Sequence, residues 1–265
     1  MRAPIFHVDA FTDHPFAGNP AAVCILTEER DDAWLAALAA EMNLPETAFL
    51  RRENGAWRLR WFTPTVEMPL CGHATLASAH ALWEAGYADP RERLVFHTKS
   101  GELTARRSES AIELDFPAEP AEAMPAPPGL LTALGIAAPR FAGRNRLDWL
   151  IESSSAATVR GVTPDLPALA RAGGGARGVI VTAVSDRPEF DFVSRFFAPA
   201  AGIDEDPVTG SAHCCLGPYW GKRLGKTALV GFQASRRGGV VKVRLEGPRV
   251  ALGGNAVTVF RGELA

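Results

Sequence analysis

Two stretches of this 265-residue chain follow one pattern. Arg60–Thr75 reads RWFTPTVEMPLCGHAT and Arg195–His213 reads RFFAPAAGIDEDPVTGSAH. Each opens on Arg, two aromatics, a small residue and Pro. Each closes on Gly, a polar residue and Ala, just ahead of a helix-like run. Arg60 and Arg195 lie 135 residues apart, Gly72 and Gly210 138, so the second copy carries three extra residues, placed within AAGIDEDPV. A separation near half the chain length indicates a duplicated domain rather than a solenoid of short repeats. The expected fold is therefore α+β, with two pseudo-symmetric lobes. Each lobe is expected to have its strands wrapped around one central buried helix.

The rest of the pattern agrees. Ile5–Phe11, Ala21–Leu26, Thr47–Arg51 and Trp57–Phe62 read as strands, with a helix over Asp31–Met42. Gly72–Ala85 is apolar nearly all round, the mark of a helix buried on every side. Leu94–His97, Glu102–Arg106 and Ala111–Phe116 follow as strands. Pro117–Gly129 holds five prolines in thirteen residues. It is expected to continue neither sheet nor helix and reads as a linker. Beyond it, Asp148–Ile151, Thr158–Arg160, Val179–Ala183 and Phe190–Phe197 read as strands, and Leu166–Ala172 as a short helix. Ser211–Leu224 is a second apolar helix, with Gly217 and Pro218 expected to kink it. Leu229–Ala234, Val240–Leu245 and Val257–Arg261 close the chain. The lobes are expected at 1–118 and 119–265, the last strand being free to pack on the first lobe.

Composition narrows the function. The net charge of −2 supplies no basic field for nucleic acid or an anionic membrane. No apolar run approaches the roughly 20 residues that span a bilayer, and Asp9 and Asp13 interrupt any signal-like start. A soluble, cytoplasmic protein is expected. Cys24, Cys214 and Cys215 read as small buried thiols rather than disulfides. The six histidines show no HExxH spacing, so no metal site is expected. GSAH lacks the second glycine of a nucleophile elbow. GGGAR lacks the Lys and Ser/Thr of a phosphate loop.

Gly72 and Gly210 each stand where a loop enters a buried helix. A helix start leaves backbone N–H groups unpaired and partly positive, and glycine lets a ligand approach them. Two such starts facing each other would cradle a carboxylate or an enolate-like intermediate, with His73 and Ser211 pointing into the same space. Equally, the glycines suit tight turns, with His73 and Ser211 as caps. In NLPETAF, Glu46 stands among Leu44, Ala48, Phe49 and Leu50. A carboxyl in apolar surroundings is a candidate acid and base near neutrality, or simply a charge at a strand start. Asp206, four residues before Gly210, suits a substrate ammonium, an imidazole, or a cap.

With GNPAAV, ETAFL, CGHAT and DPVTGSA in this order, the whole chain resembles the PhzF-like isomerases of phenazine biosynthesis, whose fold is similar to diaminopimelate epimerase, which implies two pseudo-symmetric lobes, each a strand barrel wrapped around a central buried helix. The resemblance implies cofactor-independent isomerisation of a small carboxylate or cyclic amino-acid-like substrate, by a homodimer. It puts the general acid/base on Glu46, with His73 and Asp206 orienting substrate. Gly72, Gly210 and Ser211 then hold an anionic group. Related epimerases place a thiol at each helix start. Here Cys71 stands at the first and Thr209 at the second, which favours one carboxylate shuttle over a thiol pair. Epimerisation on the same scaffold, and a non-catalytic binding protein, are the alternatives.

Overall fold

The structure, a computed structural model, describes residues 3–108 and 111–264. Contacts divide the chain into two units, Met1–Phe116 with Gly253–Ala265, and Pro117–Leu252.

The first unit runs β1 (Ala3–Ala10), β2 (Asn19–Leu26), α1 (Asp32–Met42), β3 (Glu46–Glu53), β4 (Ala56–Phe62), β5 (Glu67–Met68), α2 (Gly72–Glu84), β6 (Leu94–Thr98), β7 (Gly101–Arg107) and β8 (Ile112–Pro117). Asp31 caps α1, its Oδ1 accepting from the Trp34 N–H at 2.8 Å, and Leu35 and Ala39 face inward. They pack with Cys24, Phe49 and Phe62 on the outer side of the strands. α2 is the core. From His73 to Trp83 only His80 is not fully buried, as its lack of a polar face requires. Leu76 and Leu82 are 0 % exposed, each contributing about 1.5–3 kcal/mol by burial. Helix α2 packs on β1, β2 and β3. β2 runs parallel to β3 with Ala21 opposite Glu46, β3 antiparallel to β4 with Phe49 opposite Arg60, and β4 parallel to β6.

The second unit runs β9 (Glu122–Ala123), α3 (Leu130–Leu134), β10 (Phe141–Arg144), β11 (Asp148–Glu152), α4 (Ala156–Gly161), α5 (Leu166–Ala172), β12 (Gly178–Val184), β13 (Phe192–Phe197), a 3₁₀ turn (Pro199–Ala201), α6 (Gly210–Leu224), β14 (Ala228–Gln233), β15 (Gly239–Glu246) and β16 (Arg249–Gly254). β17 (Ala256–Leu264) closes the chain antiparallel to β1, in the first unit. The pairing logic is that of the first unit. β11 is parallel to β12 with Asp148 opposite Gly178, β12 antiparallel to β13 with Val181 opposite Arg195, and β13 parallel to β14. α6 takes the place of α2. α3, α4 and α5 cover β11 and β12 through Leu130, Leu134, Val159 and Leu169, packed with Trp149, Ile151 and Val181.

Two expectations are corrected. Thr158–Arg160 is not a strand. It lies in α4, because the Ser155 hydroxyl accepts from the Thr158 N–H at 3.1 Å and starts a helix that outweighs two β-branched residues. The proline-rich segment does enter the sheet, since Glu122 and Ala123 pair with Arg144 and Gly143. Both lie between its prolines and so keep their N–H groups. Pro218 sits inside α6. It has no N–H for the Cys214 carbonyl, four residues back, and Glu119 N–H fills that acceptor at 3.0 Å.

Candidate active site

Sequence repetition becomes a repeated device. Arg60 forks onto Glu67 (Nε–Oε1 2.7 Å, Nη2–Oε2 2.8 Å), and Arg195 onto Glu205 (2.6 and 2.9 Å). Each guanidinium also lies over an aromatic ring, Phe62 at 5.0 Å and Phe197 at 4.8 Å. Glu67 and Glu205 each precede the helix glycine by five residues. The fork therefore anchors the loop that aims each helix start. All three extra residues fall between Arg195 and Glu205, where the 3₁₀ turn bulges out. Asp206 itself has a counterpart, Met68. The cap carbonyls match as well. Cys71 O accepts from Thr75 Oγ1 at 2.5 Å, and Thr209 O accepts from His213 Nδ1 at 2.8 Å.

The copies differ in what surrounds the helix start. In the first unit, Glu46 opens β3 and His73 lies in the first turn of α2, 8 % and 5 % exposed. His73 Nε2 is 3.0 Å from Glu46 Oε2, within range of charge attraction but off the line of a hydrogen bond. On the other edge of the ring, Nδ1 is 3.1 Å from Asn19 Nδ2 and 3.6 Å from Cys71 Sγ. On a neutral ring Nδ1 accepts from the Asn19 amide and the proton sits on Nε2, towards Glu46; on the imidazolium Nδ1 donates and the amide presents its oxygen instead. Burial opposes the imidazolium, but Cys71 and Glu46 beside it outweigh that and hold the His73 pKa well above the ordinary histidine value. Burial, with the Glu46 charge adding, pushes the Cys71 thiol up.

Asn19 is delivered by the loop TDHPFAGNP. Gly18 has φ +64°, and a Cβ there would meet Ala10 O at 2.1 Å. Only glycine passes this turn. Sequence reasoning gave Asn19 no role in the site. Its place in GNPAAV, at the first residue of a buried strand, was the available signal.

In the second unit Gly178 holds the position of Glu46, by the matched registers of the two strand pairs. Arg177, one residue earlier, reaches the helix start instead. Its Nη2 donates to Ser211 Oγ at 2.8 Å, and Nε and Nη2 grip Asp148 at 3.0 and 2.5 Å. Ser211 therefore has a lone pair engaged by a cation, and its own proton is directed elsewhere. Asp206 Oδ2 accepts from Thr209 Oγ1 at 2.5 Å. Gln233 ties the same loop, its Oε1 taking Thr209 N–H at 2.9 Å and its Nε2 donating to Asp206 O at 2.7 Å. Gly72 and Gly210 open α2 and α6. Arg177 and Gln233 escaped sequence reasoning because each lies more than 20 residues from its partner on α6 or its loop, and Asp148 because it lies 29 residues from Arg177.

A model of the phenazine biosynthesis-like protein family matches residues 8–262. This chain belongs to that family. An uncharacterized isomerase of Halalkalibacterium halodurans is 52 % identical over 265 residues, covering 100 % of this chain and 99 % of that one. The crystal structure of a PhzF family protein from Enterococcus faecalis superposes with a TM-score of 0.95 at 43 % identity, covering 100 % of both chains. A predicted epimerase from Pseudomonas aeruginosa, 24 % identical, shares the fold with a TM-score of 0.76 over 99 % of each chain. The phenazine biosynthesis-like chain is an isomerase. Among its described residues no helix is long and apolar enough to cross a membrane.

Proposed function

We propose that this isomerase moves a proton between two positions of a small carboxylate substrate, without a cofactor, and that Glu46 carries the proton. The observation behind this reading is the Glu46–His73 pair, 3.0 Å apart and almost fully buried. A carboxylate held beside an imidazole can take a proton from carbon while the Nε2–H stabilises the charge it had before and has again after release. Asn19 at Nδ1 keeps that ring oriented. Gly72, Gly210 and Ser211 are assigned the anionic groups of the substrate, through helix-start N–H groups and the Ser211 O–H. Asp206 is assigned a polar contact with the substrate, as is His73.

The test is solvent exchange. Amino and hydroxy acids are incubated with enzyme in heavy water and followed by proton NMR. Wild type should wash out one C–H signal of its substrate, and Glu46→Gln should slow this by at least a hundredfold, the usual contribution of a positioned general base. Exchange that survives Glu46→Gln removes Glu46 from the mechanism.

A second reading, epimerisation with Cys71 as a base, is supported by Cys71 Sγ at 3.6 Å from His73 Nδ1. Burial works against it by disfavouring the thiolate. Products with inverted stereochemistry and no bond migration, lost in Cys71→Ser, would select it. We also propose a cytoplasmic homodimer. The four free cysteines, all buried, suit a reducing compartment, and the family resemblance supports the dimer, which sedimentation would test.

A further inference from the structure

The guanidinium of Arg177, in the second unit, is held along one edge and open along another. Nε and Nη2 grip Asp148 at 3.0 and 2.5 Å, and the Asp148 side chain is 0 % exposed. The Phe196 ring lies 5.3 Å from the guanidinium carbon, and the backbone N–H of Arg177 donates to Leu147 O at 2.8 Å. Fork, ring and backbone together fix the plane of the group. A partner for buried Asp148 needs no more than the Nε and Nη2 edge. Yet the Arg177 side chain is 32 % exposed, and Nη2 turns its second proton to Ser211 Oγ at 2.8 Å. Among the described residues Nη1 makes no hydrogen bond, so two of the five donors of this cation are unused.

We infer that Arg177, together with Ser211, takes a carboxylate oxygen of the substrate, and that this pair decides which end of the substrate faces α6. The inference rests on the assignment of Ser211 to an anionic group. The two end-on N–H bonds of a guanidinium run parallel, spaced for the two oxygens of one carboxylate. Ser211 Oγ fills one of those places. An oxygen in the other accepts from Nη1 and stands about 2.7 Å from Ser211 Oγ, the ordinary length of an O–H···O bond. Ser211 Oγ already accepts from Nη2, so its own proton is the one donated to that oxygen. Both groups offered to the substrate are therefore donors. A carboxylate satisfies them. An ammonium, itself only a donor, is rejected, and an amide gives up the charge-assisted bond. Asp148 balances the cation from the other edge, so the preference lies in the direction of the donors rather than in net charge. Arg177 is then a specificity-determining residue, and Asp148 a positioning residue that acts through it.

Acetate and acetamide are the probes, since they differ only in the group to be recognised. Binding to the full-length protein is followed by saturation transfer to the methyl protons of each. Wild type should bind acetate, and acetamide at least tenfold more weakly, the equivalent of one charge-assisted hydrogen bond. Ser211→Ala and Arg177→Met should each weaken acetate at least tenfold. Arg177→Met also leaves Asp148 buried and unpaired, so the double variant Arg177→Met/Asp148→Asn is measured beside it. That variant should regain stability without regaining acetate, which a purely structural arginine would not show. Arg177→Lys, which keeps the charge without the planar fork, should not restore the discrimination. Acetate that fails to bind wild type, or acetamide that binds equally well, overturns the inference. Acetate kept in the double variant but lost in Ser211→Ala sinks the role of Arg177 and leaves the Ser211 assignment standing. Acetate kept in both removes both. Acetate bound as expected, with no solvent exchange on any acid, sinks the proton-transfer reading alone.

Discussion

Glu46 has no acidic counterpart in the second copy, and the reason is steric. A Cβ on Gly178 would stand 2.5 Å from the Phe196 ring and 2.8 Å from Phe197 O, so no side chain fits there. The neighbouring residue, Arg177, reaches the helix start instead, with opposite charge. One helix start thus carries an acid–imidazole pair and the other a guanidinium–hydroxyl pair. The cation is itself held by Asp148, whose side chain is 0 % exposed. Removing Arg177 leaves that carboxylate buried and unpaired. Arg177→Met should cost about 3 kcal/mol, and adding Asp148→Asn should recover part of it, measured by urea denaturation of both variants. Additive losses would show that the pair does not act as a unit.

At the level of elements, the Arg–Glu forks decide where α2 and α6 begin. Neither helix has a side-chain cap at its N-terminus, so the loop before it must be held by other means. The forks are not equal. Glu67 also pairs with Lys99, which cushions the loss of Arg60. Arg195 Nη1 further donates to Val162 O at 2.5 Å and Arg160 O at 3.2 Å, tying α4 to the same point. Arg60→Ala should therefore cost about 1–2 kcal/mol and Arg195→Ala about 3 kcal/mol. Equal losses in chemical denaturation would contradict this ranking. Both arginines were visible in the sequence as a repeat, but their glutamates were not, because Glu67 and Glu205 stand at different distances from them along the chain.

Across the whole molecule, buried histidines set the response to acid. His213 is 0 % exposed and donates Nδ1–H to Thr209 O at 2.8 Å. Burial lowers its pKa to about 4, with the Thr209 contact opposing. Burial also lowers that of His80, which bonds Thr258 in the first unit. A histidine kept neutral by the fold takes up its proton more readily when unfolded. Its contribution is complete above the unfolded value near 6.5 and is lost as pH falls through about 4. For His213 this amounts to on the order of 3 kcal/mol. His213→Gln should flatten the fall in stability between pH 7 and 4 by about that amount, followed by urea unfolding. A pH slope identical to wild type would show that His213 does not set it.

What the sequence alone determined is whatever repeats or is periodic along the chain. The duplication, the two buried helices and the ordering of strands around them follow from spacing, because burial imposes a period on each element, and the motifs carry the resemblance to the family. The sequence also named Glu46, His73, Asp206 and Ser211 as candidates. Helix α4, expected as a strand over Thr158–Arg160, shows the limit of propensity against one capping serine. Tertiary structure decided who meets whom. Asn19 on His73, Cys71 beside the same ring, Arg177 on Ser211 and Glu119 on the carbonyl freed by Pro218 are contacts between elements. No local preference encodes them. They arise only when packed strands bring distant residues to the same helix start, and there they give two copies of one motif two different surroundings.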